Sequence, residues 1–207
     1  MRNPVSLFGF LLPLTGTAAA TALGLNTTIL QPWEITRLST HSPSGYPANH
    51  PYMRISFGIR DPNTIVLGDT PFGDADFVPS AVNCTVWWLG YAAAGPNPVE
   101  GGWVNTCDEM DSRQGKWTFV VLDGTESTGR ITTDFGLRIT LEEAVTLKTG
   151  GVARLRFEGQ AALRVGDNMA GACGGSGVCN WGLNNPPLIV KQKLVGLDCV
   201  AGKCELA

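Results

Sequence analysis

Two histidines are the first side chains of this chain to consider for chemistry. His41 and His50 lie in one turn-rich segment, and an imidazole can bind a metal ion or act as a general base near neutral pH. Paired loop histidines are more often exposed and without a role, so we assign neither one a function. For a serine nucleophile, the sequence has no G-x-S-x-G motif. The glycines around Ser176 lie between two cysteines, where glycine suits a tight turn.

Acidic side chains could serve glycoside hydrolysis, which uses two carboxyl groups. Glu142 and Glu143 are adjacent, so a strand would point them to opposite faces. The loop with Asp69, Asp74 and Asp76 most resembles a site for a hard cation, but it lacks the fixed ligand spacing of a calcium loop. We therefore predict no catalytic residue, metal or cofactor, and we lean towards a protein that is not an enzyme. The two acidic loops contain Asp108, Glu109 and Asp111, and Asp69, Asp74 and Asp76.

Tryptophan is the residue type best suited to ligand contact here. Trp87 and Trp88 are successive, so a strand places them on opposite faces and at least one belongs to the core. The other would be exposed, and exposed aromatic side chains are common in binding surfaces. We take Trp87, Trp88 and Trp103 as candidate ligand contacts. The tryptophans that could line a carbohydrate platform or an apolar cavity are Trp87, Trp88, Trp103, Trp117 and Trp181.

Six cysteines suggest a disulfide framework. An even number in an exported chain implies three disulfides, although spacing alone does not fix their pairing. A zinc site is the alternative, but C-x5-C and C-x4-C are not the compact C-x2-C of common zinc sites. Pairing between sequence neighbours would join Cys84 to Cys107, Cys173 to Cys179 and Cys199 to Cys204.

The N-terminus predicts export. Arg2 precedes an apolar run from Val5 to Leu14, and alanines follow, which is the layout of a secretory signal peptide. We predict that residues 1–20 are a signal peptide and that residues 21–207 form a single secreted β-domain. Asn26 and Asn83 begin Asn-X-Thr sequons, so both are predicted glycosylation sites.

Charge and composition narrow the class of partner and of fold. The net charge is −3 and the chain has no basic run, which argues against nucleic acid and anionic membrane as partners. The chain has 26 glycines and 13 prolines, and short alternating runs between turns favour an all-β fold. We predict a single antiparallel β-barrel or β-sandwich stapled by disulfides.

The predicted strands number seven to ten, and their positions follow from the alternation of apolar residues. The runs at Val82–Leu89 and Trp103–Val104 are predicted to form a hairpin closed by Cys84 and Cys107. Residues 64–81 show no period and are predicted to form a long loop, and a one-turn helix at Leu141–Val145 is an alternative to a strand. The remaining predicted strands are Trp33–Leu38, Arg54–Arg60, Trp117–Leu122, Phe135–Leu141, Val152–Glu158, Ala161–Val165 and Leu188–Val195.

The order of these features resembles the family of the Alternaria major allergen and its elicitor-like relatives. An early strand, WEITRL, precedes the turn-rich run HSPSGYPANH and the strand RISFGI, which leads into Asp-Pro-Asn. The cysteine pairs Cys84…Cys107 and Cys173-x5-Cys179 follow. The resemblance implies an extracellular antiparallel β-barrel in which these pairs form intrachain bridges, with no catalytic residues. This chain differs from the family in its longer loops and in Cys199 and Cys204, which leave no spare cysteine, so a homodimer would be non-covalent.

From the resemblance we expect a secreted fungal effector- or allergen-like binding protein that engages a host protein or a small ligand through surface loops. An alternative is a small secreted hydrolase or binding module that acts on cell-wall carbohydrate. A second alternative is a protease inhibitor that presents the loop 90–102.

Overall fold

The computed structural model describes residues 30–46, 50–70, 73–90, 96–108, 115–125, 130–146, 148 and 150–200, without the side chains of 66–70, 73–76, 199 and 200. The predicted signal peptide and Asn26 lie outside these residues. Every regular element in the described part of the chain is a β-strand, as predicted. The described strands are β1 Trp33–Ser42, β2 Tyr52–Asp61, β3 Ile65–Thr70, β4 Gly73–Phe77, β5 Ser80–Leu89, β6 Asn105–Thr106, β7 Lys116–Asp123, β8 Asp134–Thr146, β9 Val152–Arg164, β10 Met169–Cys173, β11 Cys179–Leu183, β12 Leu188–Val190 and β13 Gln192–Val200.

The first sheet is built around β1. Its order is β10-β11-β1-β2-β5, and every described pair in it is antiparallel. One edge of β1 pairs with β2, and the other edge pairs with β12 near its start and with β11 near its end. A bulge between Ile35 and Arg37 shifts the β1–β2 register, which brings both Thr36 and Arg37 to exposed positions.

The second sheet has the antiparallel order β13-β9-β8-β7-β6. Its centre is the long pair β8–β9, which stays in register from Asp134–Arg164 to Thr146–Val152. A separate two-stranded ribbon of β3 and β4 lies between β2 and β5 in the chain.

The two sheets enclose one hydrophobic core, so the fold is an antiparallel β-sandwich. The alternation of apolar and polar residues explains this core, because successive strand residues point to opposite faces of a sheet and the apolar ones share the inner face. Phe57 of the first sheet meets Phe119 of the second at a centroid distance of 5.0 Å, and Trp33 meets Trp117 at 4.9 Å, both edge-on. Burying an aromatic or branched side chain of this size stabilises the fold by about 1.5–3 kcal/mol.

The predicted disulfide between Cys84 and Cys107 is present, but the predicted hairpin around it is wrong. β5 pairs with β2 in the first sheet, whereas β6 pairs with β7 in the second. The segment after β6 contacts both sheets, since Cys107 N–H donates to Trp117 O and Asp108 N–H donates to Asn83 O. The disulfide therefore joins the two sheets. Cysteine spacing fits either arrangement, and only strand pairing distinguishes them.

Five other local predictions need correction. Residues 64–81 contain the ribbon β3–β4 instead of a long loop; its glycines and aspartates hide the strand pattern. Trp103–Val104 precedes β6 and is not a strand. The predicted strand Ala161–Val165 is largely the end of β9, and Leu188–Val195 is two strands, β12 and β13, that belong to different sheets. At Leu141–Val145 the chain is strand β8 and not the helical alternative.

Candidate functional site

Trp87 is the most exposed tryptophan with a place on a regular strand. It projects from the outer side of β5 with 48% of its surface exposed, whereas Trp88 points into the core at 5%. This is the division that strand geometry predicted for the pair. Trp103 is partly buried and packs against the core. Of the three candidate contacts, the structure therefore exposes Trp87 most and encloses Trp88.

Arg54 lies against the Trp87 ring. The two residues are direct partners in the β2–β5 register, and the guanidinium carbon lies 5.1 Å from the ring centroid. A cation over an aromatic face is attracted by the ring quadrupole. The Arg54 Nε–H is buried and has no acceptor among the described residues. The tryptophan ring therefore helps to hold this guanidinium in place.

Two more aromatic rings extend this contact. Tyr52 lies two residues before Arg54, on the same face of β2, and is 41% exposed. The His50 ring lies 5.2 Å from Tyr52 and 6.2 Å from Trp87. Leu89, the register partner of Tyr52, is 38% exposed. Together these side chains form an aromatic and cationic patch at one end of the sheet.

Polar side chains continue from the patch across the first sheet. His41 is the register partner of Arg54 on β1, and its Nδ1 hydrogen-bonds with Asn180 Oδ1 of β11 at 2.9 Å. One step along the strands, Ser56 is in register with both Ser39 and Thr85. The Thr85 hydroxyl lies 2.9 Å from that of Ser56. This row carries small hydroxyl side chains.

Arg37 occupies the next position along the face. Its register partner is Gly58, and a Cβ at Gly58 would lie 3.1 Å from Arg37 Cγ and Nε. Because Gly58 has no side chain, Arg37 crosses β2 and donates from Nη2 to Asn83 Oδ1 of β5. We call this whole surface the outer face; it comprises Glu34, Arg37, Ser39, His41, His50, Tyr52, Arg54, Ser56, Arg60, Asn83, Thr85, Trp87, Leu89 and Asn180.

The far end of the outer face is electrically neutral. Arg60 and Glu34 are register partners, and Arg60 Nη2 lies 2.5 Å from Glu34 Oε2. Asp61, the next residue, is buried towards the core. These are the only carboxylates on the described strands of the first sheet. Arg37 and Arg54 therefore have no carboxylate partner within that sheet.

The outer side of the second sheet has a different character. Lys116, Glu142 and Arg156 form one cross-strand row, with Arg156 Nε 3.8 Å from Glu142 Oε1 and both side chains more than half exposed. Mixed charges of this kind are ordinary for a solvated face and contribute little to stability. The two outer sides of the sandwich thus differ, one aromatic and the other mixed in charge.

The interior holds two carboxyl groups at one end of the core. Glu143 faces inward and is 3% exposed, as the opposite orientation of Glu142 and Glu143 predicted. Burial, together with the charge of Asp61, raises the pKa of Glu143 to about 8. Burial also raises the pKa of Asp61, against the hydrogen bonds donated by Asn63. Both side chains are buried, so they offer little surface to a glycoside in this conformation.

The other residues singled out in the sequence lie apart from the outer face or outside the described side chains. Cys173 and Cys179 form the second disulfide and close the β10–β11 hairpin, with Ser176 in its turn. Cys199 has no described side chain, and Cys204 lies beyond the described residues. In the ribbon, Asp69 is in register with Asp74, but their side chains are not described.

The loop 90–102 is described only in its second half. There the chain turns around Asn97, whose Oδ1 accepts from the N–H groups of Val99 and Glu100 at 3.0 and 2.9 Å. Within the described residues, no cluster of three His, Cys, Asp or Glu side chains could hold a metal ion. No helix in that part of the chain is long and apolar enough to cross a membrane.

Comparison with protein-family models, with curated proteins and with solved structures finds no match to this chain. The candidate site therefore rests on geometry. Sequence reasoning selected Trp87 but missed Tyr52 and Arg54, because their neighbours are set by the β2–β5 register. The sequence does show that Tyr52, Arg54 and Ser56 share one face of a strand, because they alternate with apolar residues. Alternation along one strand does not identify the partner strand, however.

Proposed function

We propose that this chain is an extracellular binding protein that acts through the outer face of its first sheet. Trp87 carries the proposal. A side chain of this size, 48% exposed on a paired strand, leaves apolar area in water that a partner would cover. Its contacts with Arg54 and His50 restrict its motion, so binding would lose less side-chain entropy.

Secretion is the compartment that the chemistry supports best. The two disulfides are compatible with an oxidising, extracellular environment. The signal-like N-terminus supports the same compartment. We keep the effector- or allergen-like class as part of the proposal, on the resemblance alone, with a host protein or another extracellular molecule as the partner.

The proposed contact surface differs from the one that was expected from the sequence. A role for surface loops was expected, but the exposed aromatic side chains with defined neighbours belong to β2 and β5. A strand positions side chains more rigidly than a loop does. The outer face is therefore the surface to test first.

The test is retention of partners from apoplastic extract by immobilised mature protein whose Cys84–Cys107 and Cys173–Cys179 disulfides have been verified by mass spectrometry. We expect at least one component to bind the original protein and to be lost from Trp87→Ala. Tyr46→Ala is the matched control, because Tyr46 is 63% exposed but lies outside the outer face. Equal retention by all three proteins, or retention by none, would contradict the proposal.

A further inference from the structure

We propose that the outer face binds a linear acidic polysaccharide, that is, a chain of sugar rings bearing uronate carboxylates. This inference rests on the proposed function, since it names the ligand class for the same surface. It is carried by three features found together on one sheet: exposed aromatic rings, a row of hydroxyl side chains, and two arginines that have no carboxylate partner among the described residues of that sheet.

The aromatic end suits a sugar ring. One face of a pyranose presents C–H groups, which pack against the negative face of an aromatic ring. Trp87 and Tyr52 are both exposed and lie on neighbouring strands. They can therefore offer two ring contacts to successive sugars. Arg54 lies over part of the Trp87 ring and places a cation beside the stacking position.

The middle of the outer face suits the hydroxyl groups of a sugar. Ser39, Ser56 and Thr85 lie in one row across three strands, and each hydroxyl can donate and accept. Asn180 and His41 extend the polar surface on the side of β11. These side chains are small, so they leave a shallow track that an extended polymer could follow.

Charge complementarity selects an acidic polysaccharide over a neutral one. The whole chain has a net charge of −3, yet the outer face presents Arg37 and Arg54, and Glu34 at its end is paired with Arg60. An arginine guanidinium presents a planar fork that matches a carboxylate. A cationic surface on an acidic protein therefore favours an anionic ligand.

The spacing of the two arginines favours a polymer over a monosaccharide. Arg54 lies four residues from Gly58, over which Arg37 crosses, so the two positions are about 13 Å apart along the strand. A single uronate is too short to meet both guanidinium groups. A chain of several residues can stack on Trp87 at one end and pair with Arg37 at the other.

The probe for the test is polygalacturonate, and affinity electrophoresis and calorimetry are the measurements. The mature protein should be made in a host without N-glycosylation, because a glycan on Asn83 would lie on the outer face itself. We expect polygalacturonate to bind, and its fully methyl-esterified form, which has the same backbone without charge, to bind at least about tenfold more weakly.

Variants locate the binding. Trp87→Ala and Arg54→Ala should each weaken polygalacturonate binding by about tenfold or more, since aromatic and arginine side chains dominate such contacts. Arg138→Ala is the matched control for charge, because Arg138 is exposed on the second sheet. Tyr46→Ala is the control for loss of an exposed aromatic ring. Circular dichroism and unfolding midpoints should confirm that all four variants fold.

Each result separates this inference from the proposed function. Three results would contradict the inference that the outer face binds an acidic polysaccharide. They are equal binding of the charged and esterified polymers, no binding of either, and binding that Trp87→Ala and Arg54→Ala do not affect. If the extract then yields a protein held through Trp87, the proposed function stands with a different ligand. If Arg138→Ala weakens binding as much as Arg54→Ala does, attraction is general and not a property of the outer face, and the inference also fails.

Discussion

Glu143 interrupts an inward-facing row on β8 that is otherwise apolar and continues to Val145. Phe135, Leu137, Ile139 and Leu141 precede it on the same side of the strand. One of its carboxyl oxygens, Oε2, is buried and has no hydrogen-bond partner among the described residues. A buried carboxylate in that position costs free energy, so the folded protein favours the protonated form.

Stability should therefore fall as the pH rises. The folded pKa of Glu143, about 8, exceeds its ordinary value of 4.5, so its contribution is complete below pH 4.5 and is lost as the pH approaches 8. The loss is at most roughly 5 kcal/mol. Asp61, whose pKa is also raised, changes stability in the same direction.

Glu143→Gln tests this directly, because glutamine imitates the protonated carboxyl. We expect the variant to unfold at higher denaturant concentration than the original protein at pH 8, with a much smaller difference at pH 4. Glu142→Gln is the matched control, since Glu142 is exposed on the same strand. A Glu143→Gln protein that is no more stable at pH 8 would contradict the assignment.

Gly58 shows how one missing side chain shapes the outer face. Alanine there would bring a Cβ to 3.1 Å from Arg37 Cγ and Nε and from Thr36 Oγ1. Arg37 would have to shift by a few tenths of an ångström, which would disturb its hydrogen bond to Asn83. We expect Gly58→Ala to lower the free energy of unfolding by about 1 kcal/mol.

Chemical denaturation of Gly58→Ala measures this cost. Gly175→Ala is the control, because a Cβ at Gly175 meets no atom within 4 Å. The two variants add the same methyl group, so equal midpoints would show that the Arg37 arrangement is not tight. The Gly58 variant should also bind polygalacturonate more weakly if Arg37 contacts the polymer.

The two described disulfides connect different elements of the fold. Cys84–Cys107 joins the two sheets with a sequence separation of 23, while Cys173–Cys179 closes one hairpin with a separation of 6. In the chain-entropy account, the longer loop contributes more stability, about 3 kcal/mol against about 2 kcal/mol. Its removal should also loosen the contact between sheets.

Paired substitutions test this order. Cys84→Ala with Cys107→Ala should lower the thermal midpoint more than Cys173→Ala with Cys179→Ala. Both double variants remove one bridge and leave no unpaired partner, so they are matched. A larger loss from the hairpin bridge would show that native-state contacts, rather than loop length, decide the effect.

Most individual strands could be predicted from the sequence, but their partners could not. The alternation in β2 and β8 predicted both the strand and its inward side, and for β5 the same rule predicted that Trp87 and Trp88 lie on opposite faces without saying which one is buried. The pairing of β5 with β2, on which the Trp87–Arg54 contact depends, is a long-range choice. The ribbon β3–β4 was missed because glycine and aspartate are uncommon in strands.

For the whole molecule, the outer face was partly foreseeable. The family resemblance suggested a binding protein, strand geometry predicted one exposed ring in the pair Trp87 and Trp88, and the absence of a basic run argued against nucleic acid. Net charge is a sum over the surface, so it could not reveal that Arg37 and Arg54 share one side of an acidic protein. That arrangement appears only when the bulge at Ile35–Arg37 and the register of β2 are known.

The pairing of β1 also constrains how the protein is made. One edge of β1 pairs with β11 and β12, which come late in the chain. His41 of β1 and its partner Asn180 of β11 are 139 residues apart in sequence. Synthesis at about 5–20 residues per second leaves that edge open for several seconds after β1 emerges. An unpaired strand edge can recruit other chains. During biosynthesis, β1 is therefore a natural site for chaperone protection, and chains interrupted before β11 should be the most prone to aggregate.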